Sequence, residues 1–135
     1  MNEIIEKEIE INAKPKNVWR VFIDPETTKK MGGGYVSNWQ IGSFFGWKSN
    51  NGEIITNGEI IEIEPEKLLK HKLFNVNNKS KVDSVITYKF IERNENTILR
   101  AIEELTYSVS KTQLEEMNEG WDAALDFVKS IAEKL

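Results

Sequence analysis

Three polar residues fall where strand alternation places apolar neighbours: His71 between Leu69 and Leu73, Tyr88 between Ile86 and Phe90, and Glu103 between Ala101 and Leu105. Successive strand residues point to opposite faces, so each shares its face with the apolar residues two positions away. A carboxylate on such a face must be paired, hydrogen-bonded or protonated. For Glu103 the spacing therefore leaves three readings open: a ligand-orienting acceptor, a general base with a raised pKa, or a rim residue paired with a lysine or arginine. His71, the only histidine, is either a hydrogen-bonded structural residue or an acid–base group, and Tyr88 offers a hydroxyl to the same space.

Other chemistries lack their residues. With no cysteine there is no thiolate nucleophile, disulfide or Cys-based zinc site, and one histidine does not make a His-rich metal site. The glycines Gly32–Gly34 precede no Gly-Lys-Ser/Thr, and there is no Gly-x-Ser-x-Gly elbow. No metal, no cofactor and no committed catalytic residue is expected.

The elements that would hold these residues are legible in the patterning. Ile5, Lys7, Ile9 and Ile11 alternate with Glu6, Glu8, Glu10 and Asn12, a half-buried strand with a solvated glutamate face. Pro15 suits the first position of a helix carrying Val18, Trp19, Val21 and Phe22. Asp24-Pro25 is a cap followed by an N1 proline, predicting a second short helix to about Met31. Gly32–Gly34 then read as a mobile or left-handed loop.

From Tyr35 to Leu105 short apolar alternations are separated by polar turns such as "SNNGE", "NVNNKS" and "ERNEN", which predicts antiparallel hairpins. Asn78-Lys79-Ser80 matches a glycosylation sequon and reads as an ordinary turn. Gly58, inside the β-rich run Glu53 to Glu64, suggests a bulge. A long helix closes the chain, opened by the capping box Ser110-Lys111-Thr112-Gln113. Its apolar stripe is Leu114, Met117, Trp121, Ala124, Leu125, Val128, Ile131 and Leu135. Gly120 inside that helix suggests a kink, a close approach to a strand, or room for the neighbouring indole. The fold class is α+β, with the long helix lying across a curved antiparallel sheet.

The chain has 135 residues, the length of one domain, 1–135. Net charge is −4, which provides no electrostatic footprint for nucleic acid. The N-terminus "MNEIIEKEIEIN" lacks the apolar core of an export signal, and no apolar run reaches membrane-spanning length. These features predict a cytoplasmic protein, monomeric or weakly dimeric.

Element order and particular residues together resemble the START-like helix-grip superfamily, also called SRPBCC. Within it the chain looks most like the heat-shock-protein-90 ATPase activator homologues, as a short member with one domain. The resemblance is carried by "PKNVWRVFIDPE", "WQIGSFFGW", "GEIIEIEPEKLLKHKL", "SVITYKF", "NTILRAIEEL" and "EGWDAALDFV", in that order along nearly the whole chain. Many members have a Trp-Trp pair at the end of the second short helix. This chain has Lys30-Met31 followed by glycines, so its pocket entrance should be looser and less aromatic.

The resemblance implies a cavity between the long helix and the sheet, able to hold a hydrophobic, aromatic or lipid-like small molecule. Strand parity places Phe45, Trp47, Leu69, His71, Leu73, Ile86, Tyr88, Leu99 and Glu103 on the face opposed by Met117, Trp121 and Leu125. Met31, Gly33 and Tyr35 would form the entrance, with the glycines as a flap. The same residues would equally well fill the space as core. A carrier or sensor of a hydrophobic small molecule is the leading expectation. The alternatives are an acid–base enzyme similar to the superfamily's cyclases, using Glu103, His71 and Tyr88, and a chaperone-associated protein. The latter activity belongs to longer relatives with an additional domain.

Overall fold

The computed structural model describes residues 3–135. The first strand, β1 (Ile4–Ile11), is followed by helix α1 (Pro15–Ile23), with Pro15 in its first turn as the sequence predicts. Asp24 then caps the next turn by accepting from the Glu26 amide, 3.1 Å away. The predicted second helix is two successive 3-10 turns, Pro25–Thr27 and Lys29–Met31. Six further strands follow: β2 (Gly33–Ser37), β3 (Phe44–Ser49), β4 (Gly58–Glu64), β5 (Leu68–Phe74), β6 (Val82–Arg93) and β7 (Asn96–Leu105). The closing helix α2 spans Lys111–Ala132 and begins with the complete Ser110/Gln113 capping box.

The seven strands form one antiparallel sheet in the order β1-β7-β6-β5-β4-β3-β2, so the first strand pairs with the last. The inner face is the apolar one read from the sequence, with Ile11, Ile60, Leu69 and Leu99 fully buried against Val18, Val21 and Phe22 of α1. Outside, Arg100 bridges Glu6 and Glu8 at 3.7 and 3.1 Å, which partly neutralises the glutamate row. The bulge in β4 lies between Ile60 and Glu62 rather than at Gly58. The extra residue brings Ile60 and Ile63, of opposite parity, onto the same inner face. Gly58 is constrained by something else: a Cβ there would overlap the Lys72 carbonyl and lie 3.3 Å from His71 Nδ1.

Two other glycine readings change as well. Gly32, at φ 101°, ends the second 3-10 turn, but Gly33 and Gly34 are paired β2 residues rather than a mobile flap. A Cβ at Gly33 would overlap the Lys48 carbonyl and sit 2.8 Å from Trp47 Nε1. These glycines permit close strand packing. Gly120 faces open space, with nothing within 4 Å of a built Cβ, and α2 runs through it unbroken. No close backbone approach explains it.

Helix α2 is fastened mainly through its C-terminal half, where Leu125, Val128 and Ala132 are buried. Lys129 Nζ donates to the Glu10 carbonyl at 3.1 Å, and Glu133 accepts from the Asn12 amide at 2.8 Å. Farther toward the N-terminus, Lys7 pairs with Asp122 at 3.1 Å. Before Trp121 only Leu114, Met117 and Asn118 are even half-buried, and Ala124 and Leu135 of the predicted stripe are exposed. No described helix is long and apolar enough to cross a membrane.

Candidate functional site

The concave face of the sheet is not completely filled, and the gap is lined by strand residues and Thr56, with none from α2. Strands β2, β3, β5 and β6 there present large rings spaced by branched aliphatics, and rings do not close every gap. A cavity of about 130 Å³ remains, lined by Tyr35, Phe45, Thr56, His71, Leu73, Ile86 and Tyr88. Five of these seven, Phe45, His71, Leu73, Ile86 and Tyr88, are among the residues predicted to line a pocket, and Tyr35 is predicted at its entrance. Thr56 carries no sequence signal, because it follows the "SNNGE" turn in an irregular segment. Its Oγ1 accepts from the Trp47 amide at 2.9 Å.

The remaining predicted residues lie elsewhere. Leu69, Leu99 and Leu125 are buried core. Trp47 stands beside the cavity, edge-on to Tyr35 at 5.1 Å and to Phe127 at 6.1 Å. Met117 is half-buried on α2 and does not line the space. Of the predicted entrance, Met31 is exposed, Gly33 lines a separate surface groove, and only Tyr35 reaches the cavity.

His71 occupies one wall. Its ring centroid is 4.4 Å from that of Phe45 and 6.1 Å from that of Tyr88, nearly parallel to the latter. Nδ1 lies 3.0 Å from the Lys72 carbonyl oxygen. A carbonyl only accepts, so Nδ1 carries the proton and Nε2 is left with a bare lone pair. Among the described residues Nε2 has no partner and keeps some accessible surface, on a residue that lines the cavity. Burial lowers His71 from 6.5 to about 4, against a smaller opposing effect of the Lys72 carbonyl. The imidazole is therefore neutral at pH 7.

Besides Thr56 and His71, the polar lining residues are Tyr35 and Tyr88. Burial pushes the Tyr88 phenol well above its ordinary value, and the neighbouring Tyr35 and the Glu103 carboxylate push it the same way. Burial also raises Tyr35, with the Tyr88 hydroxyl acting in the opposite direction. Both phenols stay neutral. The cavity lining thus includes one unpaired acceptor, the mutually hydrogen-bonded hydroxyls of Tyr35 and Tyr88, the Thr56 hydroxyl and ring faces, with no charge among its side chains.

Glu103 is buried but stands behind this wall. Register places it level with His71 across Ile86, about 10 Å away at two strand spacings. Its Oε2 accepts from the Ser84 hydroxyl at 2.7 Å and its Oε1 from the Trp121 indole at 2.9 Å. Neutral donors therefore satisfy it, and among the described residues it forms no ion pair. Trp121 in turn packs edge-on against Tyr88 at 5.8 Å. The carboxylate ties α2 to the sheet one strand beyond the cavity wall. Among the described residues no group of three or more metal-ligating carboxylates or histidines is present.

A comparison with curated proteins finds no match. Solved structures do match in fold. Protein MLL2253 from Mesorhizobium loti superposes with a TM-score of 0.77 at 17% identity, covering 98% of both chains. The structure described as the Aha1 dimer from Colwellia psychrerythraea gives 0.77 at 17%, covering 97% of this chain and 96% of that one. CalU16 from Micromonospora echinospora gives 0.75 at 22%, covering 97% and 76%. The sheet gripping a long C-terminal helix is thus a recurrent scaffold. A family model described as "Activator of Hsp90 ATPase homolog 1-like protein" matches residues 12–133, and the chain belongs to that family.

Proposed function

We propose that the protein binds a small hydrophobic molecule, ring-sized and aromatic or cyclic, in the cavity between β2, β3, β5 and β6, as a carrier or sensor. One observation carries this reading: a space of about 130 Å³ walled by four aromatic or imidazole rings, one of them the His71 imidazole, whose Nε2 has no hydrogen-bond partner among the described residues. Pockets for drug-sized ligands run roughly 300–1,000 Å³, whereas an apolar cavity of about 150 Å³ holds benzene. The size supports a single ring and argues against a whole acyl chain in this conformation. A cyclase-like reading draws less support, because both oxygens of Glu103 already accept from Ser84 and Trp121.

The test is thermal unfolding in the presence of ring-sized compounds, with Trp fluorescence in parallel. A true ligand at a hundredfold excess over its Kd should stabilise the fold by about 2.7 kcal/mol. Absence of any shift across benzene-, phenol- and indole-type compounds would overturn the proposal.

A further inference from the structure

Resting on the ring-binding reading above, we infer that the cavity selects a neutral ring bearing a hydrogen-bond donor, a phenol-type hydroxyl, and receives that donor on His71 Nε2. The Lys72 carbonyl fixes the tautomer by taking the Nδ1 proton at 3.0 Å, so Nε2 presents only a lone pair. The ring cannot exchange these roles without leaving the Lys72 carbonyl facing a second acceptor. Nε2 is the one imidazole nitrogen left without a partner among the described residues, on a residue only 5% exposed. A buried polar group of this kind discriminates between a ligand that satisfies it and one that leaves it empty.

The surroundings decide against charged rings. No lysine or arginine lines the space, so an anion would enter without a counter-charge and meet an acceptor. No aspartate or glutamate lines the space either, and Glu103, one strand beyond Ile86, already accepts from Ser84 and Trp121, so a cation would also enter without a counter-charge. Phe45 and Tyr88 flank the imidazole and provide faces for an incoming ring to stack on. A hydroxylated aromatic of about one ring fits both the shape and the polarity.

Binding of phenol, toluene and benzoate to the intact protein, by calorimetry and by imidazole ¹⁵N NMR, tests this. The chain has one histidine, so the imidazole signals need no assignment. The expected result is phenol binding at least tenfold tighter than toluene, with an upfield shift of Nε2 alone and no binding of benzoate. In His71→Phe the preference for phenol should vanish. Should that variant not fold, the Nε2 shift in the unaltered protein decides alone. Equal affinity for phenol and toluene, or an unmoved Nε2 signal in the phenol complex, overturns donor selection and leaves the ring-binding reading standing. Tightest binding of benzoate overturns it equally. Failure of all three compounds to bind overturns both.

Discussion

The indole of Trp121 donates to Oε1 of Glu103 at 2.9 Å, so the first buried-side anchor of α2 is a hydrogen bond to a carboxylate inside the sheet. Ser84 holds the other oxygen at 2.7 Å. Hydrogen bonds to charged groups contribute about 1.5–3 kcal/mol. Trp121→Phe keeps most of the apolar contact with Tyr88 but removes the donor, and should destabilise by about that amount. Glu103→Leu removes the acceptor and strands the indole N–H. The double variant should recover a coupling of at least about 0.5 kcal/mol in a denaturation cycle. Strict additivity would mean that the bond does not fasten the helix.

Stability should also report the burial of His71. Its folded pKa of about 4 lies below the unfolded 6.5. Above pH 6.5 both states are neutral and the group has no effect. As pH falls through 6.5 the unfolded chain takes up the proton first, and stability drops until the folded state also protonates near 4. The two values imply a loss of about 2 kcal/mol by pH 5 and about 3 by pH 4. The measurement is the difference in unfolding free energy between the unaltered protein and His71→Phe at pH 7 and pH 5. Parallel pH profiles would contradict the burial argument.

The fold was readable because its signals are local and repeat. The alternation of Ile5 to Ile11, the Pro15 and Asp24-Pro25 starts and the Ser110/Gln113 box each give one element its type and position. Parity grouped five of the cavity's seven lining residues on one face, while Tyr35 came in only as an entrance residue and Thr56 not at all. It could not distinguish a residue beside a void from one packed solid, and that separates His71 from Leu69 on the same strand and from Leu99 two strands away. That distinction depends on how neighbouring rings pack together. Glu103 shows the same limit: spacing marks it as buried, but its donors come from a neighbouring strand and from a helix 18 residues away. Glycine was the least legible residue, because flexibility and crowding select the same side chain.

Two of those glycines predict opposite outcomes for the same substitution. At Gly120, inside an exposed helix turn with open space around it, alanine should add about 1 kcal/mol, or roughly 4 °C in Tm. At Gly33 the same methyl group meets the Lys48 carbonyl and Trp47 Nε1, so alanine should cost about 1–3 kcal/mol through displacement of β3. Thermal melts of the two variants suffice. A stabilised Gly33→Ala would restore the flap interpretation.

The cavity itself can be tested by filling it. Ile86 lies on β6 between His71 and Glu103 in register and lines the void. In a solid core, adding the bulk of a phenyl ring at such a site costs about 1–3 kcal/mol through strain. Beside about 130 Å³ of empty space the added carbons have somewhere to go, and their contacts offset the strain. Ile86→Phe should therefore unfold within about 1 kcal/mol of the unaltered protein while losing its thermal response to any ring that stabilises the parent. The two measurements separate the alternatives. A large destabilisation means that no usable void exists at Ile86, and a stable variant that still binds means that the ligand lies elsewhere. Only unchanged stability with lost binding places a guest in this space.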